Sequence, residues 1–474
     1  MPVWIIVVVL TLFHLLGLVA AYKAVMETRT SQGAIAWVIF LITFPYISLP
    51  VYWILGRNKF YGYTKAKHIK DERIQAELSG FIEGLKQHHI ALSNINAAES
   101  AAQKLALLPA LRGNNVTLLV NGEETFASII EGLESAQHYI LFQFYIVTDD
   151  TIGRKIRDLL VKKAREGVEV FFLYDEIGSY SLSTAYLRTL VEAGVQVAPF
   201  HTRKGIMNRF QINFRNHRKI VVVDGRETWI GGHNVGDEYM GYTKAFGYWR
   251  DTHVKIEGPA VMVAQLSFVE DWYWAKDRGI ETLSWQPTIH PEDKAVLVVP
   301  TGPADELETA ALMFHHAINS AQERIWIASP YFVPDDAIIS ALQLARLRGV
   351  DVRILIPHKA DHLLVYLAAY SYFEELMGLG VRFFRYKEGF LHEKVMLVDN
   401  ETATVGTANF DNRSFRLNFE ITAVMTDMAF AQQIEKMFLE DFKRSYEMQA
   451  SDIEGRSTWF RFATRLARLT APIQ

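Results

Sequence analysis

The sequence predicts a duplicated α/β body behind a two-helix transmembrane hairpin. Three observations carry this. Two uncharged apolar segments open the chain, a strand–helix–strand text occurs twice, and corresponding points of the copies lie 186 residues apart (Asp149 and Asp335, Gly194 and Gly380). Self-similarity at that distance indicates duplication of a whole domain, not a short-period solenoid. The 474 residues are too many for one ordinary domain. Half are hydrophobic and 12% aromatic, enough for sizeable cores. The formal net charge of −4 argues against a protein that wraps a polyanion, so no nucleic-acid partner is expected. No cysteine is present, which removes disulfides, thiolate catalysis and Cys-bound zinc.

Residues 1–57 read as the hairpin, with helices at about 3–22 and 34–55. Val3 to Tyr22 contains no Asp, Glu, Lys or Arg, and about 20 such residues span the hydrocarbon core. No Lys or Arg precedes this run and a second span follows at once, which disfavours a cleaved signal peptide. Ala34 to Leu55 is the second span, a buried core helix being its rival reading; it holds Pro45 and Pro50, which membrane helices tolerate. Trp4, Trp37, Tyr52 and Trp53 stand toward the segment ends, where interfacial aromatics belong. A hairpin places both chain ends on one side. Arg57, Lys59, Lys65, Lys67 and Lys70 predict that side to be the cytoplasm, although the connection is itself slightly basic with Lys23, Glu27 and Arg29.

Residues 58–112 read as a charged helical linker. The first α/β unit, 113–285, contains SAQHYILFQFYIVTDD (135–150), GVEVFFLYD (167–175) and GVQV (194–197). The second, 286–447, contains SAQERIWIASPYFVPDD (320–336), GVDVRILIP (349–357) and GVRF (380–383). Apolar runs alternating with helix-period segments imply parallel strands with crossover helices.

Each copy then carries the same strand–turn–strand text, NHRKIVVVDGRETWIGGHN (216–234) and LHEKVMLVDNETATVGTAN (391–409). His217, Lys219, Asp224, Gly231 and Asn234 match His392, Lys394, Asp399, Gly406 and Asn409 spacing for spacing. On a strand, residues i and i+2 share a face, so each His projects with its Lys. Asp224-Gly225 and Asp399-Asn400 are hairpin-turn dipeptides, so each Asp is placed to brace a turn. Small residues before each Asn let backbone and amide approach a ligand. Two histidines, two lysines and two amides suit a phosphodiester. Lys and Asn bind the non-bridging oxygens, one His attacks phosphorus, and the other protonates the departing alkoxide. The nucleophile must start neutral and the acid protonated, so the two rings need distinct environments. Glu420, 28 residues after His392, and Asp251, 34 after His217, are candidate carboxylates to orient the rings. A lysine beside each His opposes a cation, so no metal is expected.

These residues resemble the doubled HxKx4Dx6GxxN signature of the phospholipase D superfamily, over about 115–447. FRNHRKIVVVDG, GGHNVGDEYMG, PYFVPDD and VGTANFDNRSFRLNFE are similar to its bacterial cardiolipin synthase branch. The resemblance implies two tandem α/β sandwich domains packed pseudo-symmetrically. It also implies mainly structural Asp residues, and transfer of a phosphatidyl group between two phosphatidylglycerols to give cardiolipin and glycerol. Neither nucleotide, metal nor other cofactor would be needed, and a bacterial inner membrane is the expected location. His217 is the favoured nucleophile, with His392 as acid and then base. Gly232 and Thr407 depart from the Ser of many superfamily members. Hydrolysis to phosphatidic acid is the nearest rival activity; a nucleic-acid phosphodiesterase and a non-catalytic membrane scaffold are further ones. The text around HTRKGIMNRFQINFR reads either as a headgroup contact or as a solvated loop. The basic amphipathic segment 448–474, with Arg461, Arg465 and Arg468 beside Phe462, Leu466 and Leu469, reads either as interfacial or as docked on the body. Phospholipids and the membrane are the expected partners; the number of copies stays open, a homo-oligomer included.

Overall fold

A computed structural model describes residues 2–56, 59–60, 63, 97–201, 213–243 and 247–474. Most of the expected 58–112 linker and residues 202–212 of the basic text lie outside the described residues. What is described of the linker ends in a helix, Ala97–Ala106, and the first strand begins at Leu111.

In the first half, Tyr139–Phe144, Glu169–Asp175 and Gln196–Phe200 pair in parallel, joined by helices Thr151–Arg165 and Thr184–Glu192. The second half repeats this with Arg324–Ala328, Asp351–Pro357 and Arg382–Tyr386, joined by Asp336–Leu347 and Leu363–Met377. Residues 139–144 are buried throughout, as parallel strands covered on both faces must be. Antiparallel hairpins follow, Ile220–Val223 with Glu227–Gly231 and Val395–Val398 with Thr402–Gly406. Beyond them lie Thr252–Glu257 and Asn418–Thr426, and then Leu111–Val120 and Lys294–Thr301. These last two pair with each other, Leu111 opposite Val296 and Asn114 opposite Lys294, so both halves share one 16-stranded sheet. Each half keeps an outer core, while Phe268, Trp272, Phe419, Phe430 and Phe438 belong to one core spanning the joint.

The motif aspartates brace turns. Asp224 adopts φ 51° and its carboxylate accepts the backbone N–H groups of Gln137, His138 and Tyr139, each at 2.8 Å. Asp399, also at φ 51°, accepts those of Gln322, Glu323 and Arg324. Each thereby ties its hairpin to the segment entering the first parallel strand.

At the amino terminus, α1 (Val3–Glu27) is the one helix among the described residues long and apolar enough to cross a bilayer. The second apolar segment is not the single helix expected over 34–55. It forms α2 (Ser31–Thr43) and α3 (Pro45–Leu55), broken at Phe44 (φ −131°, ψ 58°). Pro45 causes the break, since it offers no N–H and its ring clashes with the preceding turn. Gly17 lets α1 meet that break closely: a Cβ there would stand 2.6 Å from Leu41 O and 3.1 Å from Pro45 Cβ. Small residues at such contacts are how membrane helices pack.

The C-terminal helix, Thr458–Arg468, docks and stays apolar outside. Phe460 packs on Tyr370 with ring centroids 5.1 Å apart and Ala467 is buried. Trp459, Phe462, Leu466 and Leu469 remain exposed.

Asp224→Ala should cost on the order of 2 kcal/mol, because three backbone donors, the buried Tyr139 N–H among them, lose their acceptor and a β-carbon residue without a turn-favouring carboxylate must hold positive φ. Denaturation of the purified protein measures this. A variant that melts like the parent yet is inactive would move Asp224 from bracing into the chemistry.

Candidate active site

Strand exchange between the halves builds the site. Arg215–Asn216 pairs in parallel with Asn418 and Phe419, and the His217 N–H donates to Phe419 O at 2.9 Å. Reciprocally, Phe390–Leu391 pairs with Trp249 and Arg250, and the His392 N–H donates to Arg250 O at 2.7 Å. In each case the next residue along the partner strand is a carboxylate. Glu420 therefore meets His217 Nδ1, at 2.9 and 3.0 Å, and Asp251 Oδ2 meets His392 Nδ1 at 2.7 Å. Both candidate carboxylates contact an imidazole, each across the halves.

Both rings are almost wholly buried. Burial drives the His217 imidazole down to about 4 against the opposing pull of Glu420, and the His392 imidazole likewise to about 4, with the Lys394 ammonium adding to the fall. Both are thus neutral at pH 7 in the ligand-free site, so the expected difference between them is not built into the resting electrostatics. The two carboxylates are held below their usual range, despite burial, by the basic side chains around them: Lys394, His233 and His392 for Asp251, and His217 and Lys219 for Glu420. Lys219 Nζ donates to His217 O at 2.7 Å. Lys394 Nζ donates to His392 O and lies 3.0 Å from His392 Nδ1. The charge of Lys394 acts on His217 and that of Lys219 on His392, so the half-sites form one electrostatic unit. Burial lowers both lysines, Lys394 to about 8.

Asn234 Oδ1 accepts the Ile146 N–H at 3.1 Å, while Asn409 Oδ1 is buried with no partner among the described residues. Asp224 and Asp399 stand at the far ends of their hairpins and do not join the imidazoles. Among the described residues no cluster of His, Asp or Glu could hold a metal ion.

Several contributors are not visible in the motif. The Tyr145 ring lies edge-on to His217 at 5.0 Å, and Trp249 flanks His392 at 5.1 Å. The Thr407 hydroxyl donates to Glu420 Oε2 at 2.6 Å; it anchors the orienting carboxylate. At Gly232 a Cβ would stand 2.0 Å from Asp251 Oδ1, so glycine there makes room for the other carboxylate. Arg218, the residue between His217 and Lys219, is buried against Asp271 at 2.9 Å and donates to Glu420 O and Thr301 O of the other half. Its counterpart Glu393 faces Arg250 at 2.8 Å, and Arg250 also binds Asp441 at 2.7 Å. The spacing of each motif is legible in sequence; these partners, distant along the chain, carry no local signal.

Two motif halves sharing one buried site define a phospholipase D-like protein with a double-domain chain. Comparison with known proteins agrees. The family model "Cardiolipin synthase, PLD-like domain" matches residues 129–262 and 314–442. Cardiolipin synthase A of Pseudomonas entomophila is 47% identical over 98% of this chain and 97% of its own, and that of Pseudomonas syringae 48% over 98% of each. The chain belongs to the cardiolipin synthase family of phospholipase D-like enzymes. Among solved structures, phosphatidylserine synthase from Haemophilus influenzae matches at a TM-score of 0.59 and 17% identity, covering 80% of this chain and all of that one; this likeness concerns the fold. Family membership and the apolar α1 together make it a membrane protein.

The activity profile should follow these groups. With both imidazoles near 4, free enzyme holding one neutral and one protonated ring is most abundant near that pH, so kcat/KM should be highest there and decline as pH rises, the decline steepening above about 8 where Lys394 loses its positive charge. Lys394→Arg, which keeps its charge, should displace the alkaline limb upward; a limb that stays in place assigns it to another group. Thr407→Val should lower kcat roughly tenfold with KM little changed, and Thr407→Ser should restore it. Equal activity of both variants would deny the hydroxyl its positioning role.

Proposed function

We infer that the chain joins two phosphatidylglycerols into cardiolipin and glycerol through a phosphatidyl-histidine. The observation that supports this most is the pair of neutral imidazoles, each oriented by a carboxylate of the opposite half and accompanied by the lysine of its own motif. With Nδ1 of each ring donating to its carboxylate, Nε2 is the nitrogen for chemistry. His217 Nε2 bonds to phosphorus of the first lipid as the phosphorus–oxygen bond to glycerol breaks, and His392 supplies the proton to that glycerol oxygen. His392 then takes the proton of the second lipid's terminal hydroxyl, whose oxygen displaces His217 from phosphorus. Lys219 and Lys394 neutralise the charge that builds on the non-bridging oxygens. Because both rings start neutral, a proton must enter with the anionic phosphodiester; its charge favours the imidazolium at His392. One phosphodiester replaces another, so no activated donor is required. Burial of the site disfavours water as acceptor.

The body rests on the cytoplasmic face of the membrane in this reading. The basic residues following the apolar segments support that side. The exposed Trp459, Phe462, Leu466 and Leu469, rimmed by arginines, support contact with the membrane surface. Arg468 pairs with Asp336 at 3.6 Å while Arg29, at the base of the apolar helices, approaches Asp335 at 3.8 Å, so this helix lies beside that base.

Purified full-length protein given labelled phosphatidylglycerol should form cardiolipin and glycerol, read by lipid mass spectrometry. Phosphatidic acid as the main product would replace transfer with hydrolysis. His217→Ala and His392→Ala should each abolish turnover while the protein stays folded; near-normal turnover in either would break the shared-site mechanism.

A further inference from the structure

We propose that the second apolar segment is a re-entrant helical hairpin, entering and leaving one leaflet on the catalytic side, so that only α1 crosses the bilayer. Three independent contacts carry this. The Trp37 ring of α2 and the Tyr52 ring of α3 meet edge-on at 5.1 Å. A continuous helix would separate these positions by about 22 Å at 1.5 Å per residue. α3 therefore folds back along α2. Next, the connection between α1 and α2 sits on the catalytic body: Arg29 pairs with Glu308 and lies 3.8 Å from Asp335. Finally, the chain leaving α3 reaches the same patch, where Lys59 Nζ donates to Glu306 O at 3.2 Å and the Phe60 N–H to Pro303 O at 3.0 Å. Both ends of the α2–α3 unit thus lie at residues 303–308 of the body, and the break at Phe44–Pro45 is its far tip.

Length and charge agree. α2 has 13 residues, about 20 Å, which reaches two-thirds of the way through a core about 30 Å thick. The 25 residues of α1 cover about 37 Å and suffice to cross. Irregular backbone at membrane depth is tolerated when protein covers it and its polar groups are met. Here Pro45 is buried against Gly17, and the Phe44 carbonyl accepts the N–H groups of Ile47 and Ser48 and the Ser48 hydroxyl. The lysines and arginines of this region gather on one side as a result. Lys23, Arg29 and Lys59 all flank the catalytic face, and the opposite end of α1 begins with the uncharged side chains Pro2 and Val3. Two full spans would instead carry Arg29 to the far side, against the positive-inside bias.

The absence of cysteine makes the test direct. Single-cysteine variants Pro2→Cys, Gln32→Cys and Glu388→Cys of the full chain are labelled with a membrane-impermeant maleimide in intact spheroplasts and in inverted vesicles. The expected result is that Gln32→Cys and Glu388→Cys react in inverted vesicles and Pro2→Cys reacts in spheroplasts. Reaction of Gln32→Cys in spheroplasts, with Pro2→Cys reacting alongside Glu388→Cys, would establish two spans and overturn the proposal. All three reacting from one side would overturn it too, by denying that α1 crosses. Cardiolipin formation by the same variants is read separately, so the topology fails or stands apart from the activity.

Discussion

Neither half of this chain holds its own histidine. Each motif imidazole is oriented by a carboxylate that the opposite half delivers, His217 by Glu420 and His392 by Asp251. The remaining features serve that exchange. Both carboxylates are fully buried and ionised, and burying an isolated charge costs several kcal/mol unless it is paired and hydrogen-bonded. Glu420 is met by His217, by Thr407 and by the Asn418 amide, and Asp251 by His392 and the Thr252 N–H. A displacement of one half against the other by the length of a hydrogen bond would leave four buried groups unmatched. The shared sheet and the Arg250 pairs with Glu393 and Asp441, which cross the same joint, resist that displacement.

The duplication also explains why the two imidazoles resemble each other at rest although the chemistry asks different things of them. Equivalent burial and equivalent lysines push both to the same range. What distinguishes the halves lies one layer out. On the Glu420 side a hydroxyl fixes the carboxylate. On the other, Gly232 yields its side-chain space to the shorter Asp251. Between the motif His and Lys, one half carries Arg218 and the other Glu393, and burial lifts the Glu393 carboxyl to about 8 despite the opposing Arg250. The roles of acid and nucleophile are therefore better sought in these supporting groups and in the bound phosphodiester than in the rings themselves.

The sequence showed the parts that local patterning encodes. The parallel strands begin within the apolar runs of the two copies, and the Asp-Gly and Asp-Asn dipeptides sit where the turns are. The i, i+2 rule correctly put each His and Lys together. What escaped it is long-range. No spacing within NRSFRLNFE or YWRDTHV tells which half its carboxylate will serve, because that depends on the short strands Arg215–Asn216 and Phe390–Leu391 crossing the joint. The broken second apolar segment escaped for a different reason. Hydropathy reports apolar length, and 22 apolar residues read alike whether they continue or double back. Pro45 marks the break, yet proline alone does not separate a kinked span from a hairpin. That decision belongs to Trp37, Tyr52 and the salt bridge of Arg29.

The segment that leaves the apolar helices is also part of the site's foundation. Phe60 and Tyr63 are buried in the core that spans the joint, with Tyr63 against Phe419 at 4.6 Å and Phe60 against Phe214 at 5.3 Å. The Tyr63 hydroxyl donates to Asp271, the same carboxylate that binds Arg218, Gln143 and Asn216 around the strand bearing His217. The chain that follows α3 is thus bonded to the residues that place the imidazole, Phe60 standing five positions after Leu55, the last residue of that helix. For an enzyme whose two substrates are lipids, such a connection fixes the height of the site above the bilayer. A freely tethered domain would have to recover that placement, at an entropic cost, each time a second lipid arrived.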